Sequence, residues 1–249
     1  ALIEKGFIVT EEIKVGRTPY KELSSCSKDV ELSDEQQKAL DGITATDKRV
    51  SLLFGVTGSG KTEVYLRLIN DTLKKGKTAI MLVPEIALTP QMLGQLRARF
   101  SDNVSILHSG LSKGERYDEW LRLKTGETKI AIGARSAIFA PIENVGIIIV
   151  DEEHDGSYEA ETSPRYKTID IAIKRAEISG AKVVLGSATP SIESFDKALS
   201  GEYYLAEMKK RINGKQLPEF SVVDMRGEIR RGNAGNFSAE LRQGLKECL

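Results

Sequence analysis

The chain has 249 residues, 40% of them hydrophobic, which is enough to bury a sizeable core without disulfides. Its 36 basic and 36 acidic side chains cancel, so no overall positive field attracts nucleic acid and any DNA-binding surface must be local. The cysteines, Cys26 and Cys248, form no CxxC pair, which excludes a cysteine zinc site in this chain and is typical of a reducing compartment. Apolar runs reach about five residues, far below the roughly 20 of a membrane span, so we expect a cytoplasmic protein without a membrane partner.

Short aliphatic runs alternate with helical patterns over most of the chain. Strands are predicted at residues 50–54, 78–83, 104–107, 129–133, 146–150, 182–186 and 220–224. Strands that are apolar along their whole length are typical of a sheet covered on both faces, and their alternation with helices indicates parallel strands. We therefore predict an α/β fold with a doubly wound, mainly parallel sheet.

Cap residues indicate where several helices begin. Helix starts are predicted at the capping boxes Ser33-Gln36 and Ser112-Glu115, at Thr189-Pro190 and at Ser238. Residues 1–28 end in a polar, proline-containing stretch that is typical of a linker, and residues 226–236 are predicted to be a loop. The last helical pattern stops at Leu249 without a cap, so we expect the chain to be a piece of a longer protein.

The segment GVTGSGKT, residues 55–62, follows the first predicted strand and begins a helix. This is the P-loop pattern in its required setting, where backbone N–H groups surround a phosphate and the helix N-terminus adds positive potential. We expect Lys61 to reach the β- and γ-phosphates of ATP and Thr62 to hold Mg²⁺. The predicted ATP-binding residues of this loop are Gly55, Val56, Thr57, Gly58, Ser59, Gly60, Lys61 and Thr62.

An acidic segment, DEEH at residues 151–154, follows the apolar run GIIIV. Open α/β sheets bind ligands at the carboxyl ends of their strands, so Asp151 is expected to hold the Mg²⁺. Glu152 would orient and deprotonate the water that attacks the γ-phosphate. Lys61, Asp151 and Glu152 are therefore the predicted catalytic residues.

Three more signals indicate a nucleic-acid motor. GSATPS, residues 186–191, together with DEEH is typical of the DExH class, in which Ser187 and Thr189 would couple hydrolysis to strand contacts. His154 would link the hydrolysis site to this pair, or it is simply a hydrogen-bonded histidine at a strand end. Gln36 is similar to the upstream glutamine that reads the adenine edge in these motors, although its capping box also explains it and both roles can hold.

Seven motifs occur in one order: GVTGSGKTEVYL, LVPEIALTPQ, HSGLSKGER, IGARSAIFAP, DEEHDGSY, PRY and GSATPSIES. With them the chain resembles the PriA family of replication-restart helicases, which are superfamily-2 3′-to-5′ DNA helicases. The resemblance implies a RecA-like, ATP-binding P-loop lobe, the first of two, at residues 29–230. Residues 1–28 would be the tail of a winged-helix DNA-binding domain plus a linker. Residues 231–249 would begin the connection to a zinc-binding region and a second lobe, both outside this chain.

The resemblance also implies residues that contact DNA. Those in family segments along the strand path are Pro84, Thr89, His108, Arg135 and Ser136, and those in an aromatic-rich loop that senses single-stranded DNA are Tyr158, Arg165 and Tyr166. The tyrosine rings would stack on bases, or they pack on the domain. The loop departs from the family at Glu159, Ala160 and Ile169, which weakens any expectation about its affinity. The basic clusters at residues 73–77, 208–215 and 226–231 are interpreted as solvated faces, with DNA contact as the alternative.

The predicted function is that of the motor lobe of a helicase in replication restart and primosome assembly at stalled forks. Expected partners are forked and single-stranded DNA, primosome proteins and single-stranded DNA-binding protein, at the replication fork in the nucleoid. ATP and Mg²⁺ are the expected cofactors, with zinc confined to the rest of the longer protein. Without the second lobe and its arginine, we expect this chain to bind Mg·ATP weakly and to be inactive in unwinding. The alternatives are another superfamily-2 translocase, for fork reversal or DNA uptake, and a DNA-structure binding module with a vestigial ATP site.

Overall fold

The computed structural model describes residues 31–84, 90–212, 220–233 and 235–248. The chain divides into two compact units, residues 1–214 and residues 215–249. The predicted boundary at residue 230 lies within the second unit, and the predictions for residues 1–28, including the winged-helix tail, fall outside the described residues. Among the described helices, none is long and apolar enough to cross a membrane.

A parallel sheet forms the middle of the first unit. Its strands are β1 (Val50–Gly55), β2 (Thr78–Leu82), β3 (Val104–Leu107), β4 (Ile130–Gly133), β5 (Val145–Asp151), β6 (Lys182–Ser187) and β7 (Tyr204–Met208). The strands lie in the order β3-β4-β2-β5-β6-β1-β7, and each neighbouring pair is parallel. This arrangement agrees with the apolar strands of the sequence, since β5 is buried over most of its length.

Helices cover both faces of this sheet. They are α1 (Asp34–Ala45), α2 (Lys61–Lys74), α3 (Pro90–Phe100), α4 (Lys113–Lys124), α5 (Thr168–Ser179) and α6 (Ile192–Leu199), with short 3-10 helices at Arg135–Phe139 and Gly156–Tyr158. Side chains of α1, α2 and α3 form one buried cluster with the sheet, whereas α5, α6 and the first 3-10 helix contribute to a second. Neighbouring residues of β1, Leu52 and Leu53, belong to different clusters, so the two clusters lie on opposite faces. The prediction of a doubly wound, RecA-like α/β sheet is confirmed.

The carboxyl ends of three neighbouring strands meet at one edge of the sheet. Strand β6 lies between β5 and β1, with Gly186 in register with Asp151 and Ser187 in register with Phe54. The P-loop after β1, the DEEH segment after β5 and the GSATPS segment at the end of β6 therefore become neighbours. Since the chain passes over β6 and β5 on its way from β1 to β2, this edge is also a point where the strand order changes direction, where open α/β sheets bind ligands.

Several local predictions differ from the structure. Residues 220–224 form no strand, because Phe220 and Val222 are 88% and 98% exposed and their apolar alternation faces no core. The last strand of the sheet is instead β7, which the sequence analysis missed and which pairs with β1. The helix start predicted at Thr189-Pro190 is also wrong, because Ser191 is the residue that caps α6.

The second unit contains two described helices, α7 (Met225–Arg230) and α8 (Ala239–Cys248). Helix α7 occupies part of the stretch that was predicted to be a loop, and Asp224 caps it. Ser238 precedes α8, and its hydroxyl accepts a hydrogen bond from the Leu241 N–H at 3.0 Å, as a cap residue should. The capping boxes at Ser33 and Ser112 are confirmed as well.

Candidate nucleotide and nucleic-acid site

The P-loop joins β1 to α2 through two glycines in the left-handed region. Gly58 and Gly60 have φ angles of +82° and +83°, which favour glycine because it has no Cβ. Lys61 begins α2, and its buried ammonium donates a hydrogen bond to the Gly55 carbonyl at 3.0 Å. The same ammonium lies 3.8 Å from Glu152 Oε1. A glycine turn, a helix N-terminus and a lysine in this order are suited to bind the phosphates of a nucleotide.

Gln36 supports the P-loop from the neighbouring helix α1. Its Oε1 accepts a hydrogen bond from the Ser33 N–H at 2.8 Å, which completes the predicted capping box. Its Nε2 donates to the carbonyls of Ser59 and Gly60 at 3.4 and 3.2 Å, and the side chain is buried. The amide therefore holds the phosphate-binding loop in place, a role that the sequence analysis missed, and its contact with adenine stays a prediction.

Asp151 ends β5 beside the P-loop, where two tyrosines hold it. Tyr65 of α2 donates its hydroxyl hydrogen bond to Asp151 Oδ1 at 2.9 Å, and Tyr158 donates to the Asp151 backbone carbonyl at 2.8 Å. Burial raises the pKa of the Asp151 carboxyl. Burial also raises the pKa of Tyr65, and the negative charge of Asp151 adds to the effect. Tyr65 was not predicted as a site residue, although it lies one helical turn after Lys61 and so faces the same way.

Glu152 has a strained backbone conformation. Its φ angle of +46° is uncommon outside glycine, and such strain is concentrated at functional sites. The partly exposed carboxylate faces Lys61 and lies 3.7 Å from His154 Nδ1. A carboxylate in this position can orient a water molecule against a phosphate bound by the P-loop.

The structure brings His154, Ser187 and Thr189 into one hydrogen-bonded group. His154 Nδ1 lies 2.8 Å from Ser187 Oγ, and its Nε2 lies 3.2 Å from Thr189 Oγ1. Ser187 Oγ also accepts a hydrogen bond from the Thr189 N–H at 2.9 Å. The DEEH and GSATPS segments are thereby joined side chain to side chain, which gives a physical path between the carboxylates and the end of β6.

Glu153, the third acid of the run, anchors the start of helix α6 through Ser191 and Ser194. It is only 2% exposed and accepts hydrogen bonds from the Ser191 N–H at 2.6 Å, the Ser191 hydroxyl at 3.1 Å and the Ser194 hydroxyl at 3.0 Å. A carboxylate at a helix N-terminus is stabilised by the helix dipole as well. The three consecutive acids thus face three ways: Asp151 toward Tyr65, Glu152 toward Lys61 and Glu153 toward α6.

Three residues predicted to contact DNA line one cavity of about 610 Å³ beyond the ends of β3 and β4. They are His108, Arg135 and Ser136, and the aromatic rings of Trp120 and Phe139 line the same cavity, which sequence analysis did not anticipate. The half-buried ring of Tyr166 stands beside it, 5.3 Å from the Phe139 ring and 5.9 Å from the Arg135 guanidinium, measured to ring centroids. Aromatic rings and guanidinium groups are the surfaces on which bases stack.

The aromatic-rich loop is held against this cavity. Arg135 donates hydrogen bonds to the Ser157 carbonyl at 3.2 Å and to the Glu159 carbonyl. The residues that depart from the family also have local partners: the Glu159 carboxylate pairs with Lys167 at 3.2 Å, and Ile169 packs against the core. Their side chains therefore contribute to the position of the loop.

The remaining predicted DNA contacts differ in position. Tyr158 is 2% exposed, so the interpretation of its ring as a stacking platform is wrong: its hydroxyl bonds to Asp151 and its ring is in the core. Arg165 is exposed, and its Nε donates to the Glu161 carbonyl at 3.1 Å. Pro84 is buried just after β2, and Thr89 lies outside the described residues.

The sequence is similar to known helicases, in agreement with the motifs that meet at this edge of the sheet. The DEAD/DEAH box helicase family matches residues 33–198. The chain is 49% identical over 253 residues to the replication restart protein PriA of Bacillus subtilis (strain 168), and the match covers 100% of this chain and 31% of that protein. It is 41% identical over 254 residues to the replication restart protein PriA of Synechocystis sp. (strain ATCC 27184 / PCC 6803 / Kazusa), with 99% and 30% covered. The predicted resemblance is confirmed, and the chain spans about a third of the length of these relatives.

A solved structure of RecG bound to a three-way DNA junction is similar in fold. Its TM-score is 0.54 at 24% identity, over 77% of this chain and 25% of that one. At this identity the likeness supports the fold alone. The family match is more informative, because residues 33–198 include the P-loop, the DEEH segment and GSATPS. On this evidence the chain belongs to the DEAD/DEAH box helicases.

Proposed function

We propose that this chain is the ATP-binding motor lobe of a 3′-to-5′ DNA helicase that acts in replication restart and primosome assembly at stalled forks. The observation that carries the proposal is the meeting of the P-loop, the DEEH segment and GSATPS at the ends of three adjacent strands. Relatives about three times as long support a longer protein around this chain, in which it would be the first of two lobes. Within that protein, residues 1–28 would continue a winged-helix domain, and residues 231–249 would lead to a zinc-binding region.

The P-loop would bind the phosphate chain of ATP, with Lys61 at its β- and γ-phosphates. Thr62 and Asp151 would hold Mg²⁺, which neutralises charge on the transferring phosphate when bound. In the described part of the chain, no three His, Cys, Asp or Glu side chains form a group that could hold a metal by themselves. One hydroxyl and one carboxylate, from Thr62 and Asp151, fit Mg²⁺, because this ion is usually bound by one or two carboxylates together with substrate phosphates and water.

Glu152 would orient the attacking water in line with the leaving oxygen and accept its proton. Its position beside Lys61 supports this role, because the lysine marks where the terminal phosphates bind. His154, Ser187 and Thr189 would report the state of this site to the DNA path through the hydrogen bonds that join them.

Single-stranded DNA would pass over the cavity lined by His108, Arg135 and Ser136, with Pro84 and Thr89 along the same path. Tyr166 and Arg165 of the aromatic-rich loop would contact the bases and the backbone. Tyr158 would transmit this contact, since its buried hydroxyl is bonded to Asp151. Primosome proteins and single-stranded DNA-binding protein would join the longer protein at forks in the cytoplasm.

Strand polarity tests the proposal directly. The longer protein containing this lobe is given Mg·ATP and duplexes with either a 3′ or a 5′ single-stranded tail, and Lys61→Ala is the matched control. We expect unwinding of the 3′-tailed duplex and none by the Lys61→Ala variant. Unwinding from 5′ tails, or unwinding that survives Lys61→Ala, would contradict the proposal, and DNA binding without unwinding would favour a DNA-structure binding module.

A further inference from the structure

The chain that leaves β7 runs along the P-loop. Two backbone hydrogen bonds fasten it there: the Val56 N–H donates to the Met208 carbonyl at 3.1 Å, and the Ile212 N–H donates to the Gly58 carbonyl at 3.1 Å. Residues 209–212, which we call the β7 exit segment, are therefore fixed beside the phosphate-binding loop at both ends. From sequence alone this basic stretch is expected to be a solvated face, with DNA contact as the alternative.

Ile212 meets Gln36 above the second glycine of the loop. A Cβ placed on Gly60 would collide with both Gln36 Nε2 and Ile212 Cδ1, so the two side chains converge on this backbone. Ile212 is 57% exposed although it is a large apolar residue, which leaves much of its surface uncovered next to the P-loop. Glu35 of α1 steadies the same segment by accepting a hydrogen bond from the Lys210 N–H at 2.9 Å.

Arg211 lies across the first glycine. Its Cγ and Cδ would be 3.9 and 4.0 Å from a Cβ on Gly58, so the stem of the side chain packs on the loop backbone. Its Nε is buried and has no hydrogen-bond partner among the described residues. Leaving a buried charged donor unpaired costs more than leaving a neutral one, and phosphate oxygens, like carboxylate oxygens, form strong hydrogen bonds with a guanidinium.

We propose that two residues at the end of the β7 exit segment complete the nucleotide pocket: Arg211 contacts the phosphate chain of a bound nucleoside triphosphate, and Ile212 packs against its base. The inference rests on the proposed function, because it needs a nucleotide in the P-loop. The inference adds a second cation of this chain, the Arg211 guanidinium, to the phosphate-binding site of the P-loop. It also gives the base an apolar surface next to Gln36, whose amide is already occupied by the cap and the loop.

A ligand with a base and a ligand without one distinguish the contact of Arg211 with the phosphates from the contact of Ile212 with the base. Binding of Mg·ATP and of inorganic tripolyphosphate to the longer protein that contains this lobe is measured by titration calorimetry for Arg211→Met, Arg211→Lys and Ile212→Ser. Arg211→Met keeps the packed stem and loses the charge, so it should weaken both ligands about tenfold or more, whereas Arg211→Lys should retain most of the affinity. Ile212→Ser should weaken ATP and leave tripolyphosphate unchanged, because tripolyphosphate has no base.

The matched control is Lys209→Met, which removes the same charge two residues away. Lys209 is exposed and pairs with Glu207 at 3.2 Å, so this variant should bind both ligands as the unaltered protein does. Full affinity of Arg211→Met for both ligands, with binding lost in Lys61→Ala, would overturn the inference and leave the proposed function standing. Failure of the unaltered longer protein to bind either ligand would overturn both.

Discussion

At the scale of single residues, the site contains a carboxylate in an unfavourable place. In the proposed function Asp151 faces a bound nucleotide from the end of β5, yet the same position removes its carboxyl from water. Tyr65 compensates by donating a hydrogen bond to one carboxylate oxygen. Conflict between function and stability is common at sites that bind cations, because the protein must hold charge without its counter-ion.

The conflict predicts how stability depends on pH. The pKa of Asp151 is raised on folding, so its contribution to stability is complete below the ordinary aspartate pKa of about 3.9 and is lost as pH rises through the folded pKa. Asp151→Asn keeps an acceptor for Tyr65 and avoids the buried charge. We expect the Tm of this variant, measured without Mg²⁺, to exceed that of the unaltered chain at pH 7 to about 8, by about 2–4 °C for each kcal/mol of stability gained. The difference in Tm should shrink as the pH falls toward the ordinary aspartate pKa of about 3.9.

Asp155→Asn is the control, because folding lowers the pKa of Asp155 whereas it raises the pKa of Asp151. Hydrogen bonds from Ser157 lower the pKa of the Asp155 carboxyl, so its contribution to stability is present at neutral pH and lost as pH falls. This variant should not gain stability at neutral pH. A lower Tm for Asp151→Asn than for the unaltered chain at pH 7, or a difference that does not change with pH, would show that burial of Asp151 is not costly.

Site residues that belong to local sequence motifs can be predicted from the sequence, whereas residues that act through tertiary contacts cannot. Lys61, Asp151 and Glu152 belong to fixed patterns, and the structure brings them together. Glu153 belongs to the same run, but its partners on α6 lie about forty residues away and no spacing indicates them. Arg211 could not be distinguished from a solvated lysine or arginine, because only the fold places it on the P-loop.

At the scale of elements, α6 depends on a residue outside it. Its own cap, Ser191, is itself bonded through both N–H and hydroxyl to Glu153, which follows β5. The helix that follows GSATPS is therefore attached to the DEEH segment. This attachment holds the ends of β5 and β6 in a fixed relation, as the hydrogen bonds between His154 and Ser187 do.

Replacing Glu153 tests this attachment. In Glu153→Gln an NH₂ group would meet donors from Ser191 or Ser194, and the charge at the helix N-terminus would be lost. We expect the free energy of unfolding to fall by about 1–3 kcal/mol, measured by urea unfolding with an unchanged m-value. Glu193→Gln changes an exposed acid in the first turn of the same helix and should have little effect. Equal stability of the two variants would mean that Glu153 does not anchor α6.

The strands show what hydrophobic pattern can and cannot predict. Central strands such as β5 were predicted because burial on both faces demands a continuous apolar run. The edge strand β7 is not predicted because its sequence, YLAEM, mixes polar and apolar residues, and β1 is its one neighbour among the described strands. Residues 220–224 have the composition of a strand but pair with no strand in the described part of the chain, a difference that depends on tertiary structure.

At the scale of the whole molecule, one edge of the sheet carries both the proposed ATP site and the proposed DNA path. The P-loop, the carboxylates and the cavity lined by His108, Arg135 and Ser136 follow the carboxyl ends of parallel strands. Tyr158 connects the aromatic-rich loop to Asp151 within this edge, so a change in the loop can reach the proposed ATP site through one side chain. Hydrolysis that responds to DNA is the behaviour expected of such an arrangement.

The most direct test of this account is ATP hydrolysis by the longer protein with and without forked DNA, using Glu152→Gln as the variant and the 249-residue chain for comparison. We predict strong stimulation by DNA, a loss of at least about 100-fold in Glu152→Gln with ATP binding retained, and slow turnover by the chain alone. Turnover that ignores DNA, or that survives Glu152→Gln, would contradict the assignment of a DNA motor. Rapid DNA-stimulated turnover by the 249-residue chain would show that the second lobe is not needed to complete the ATP site.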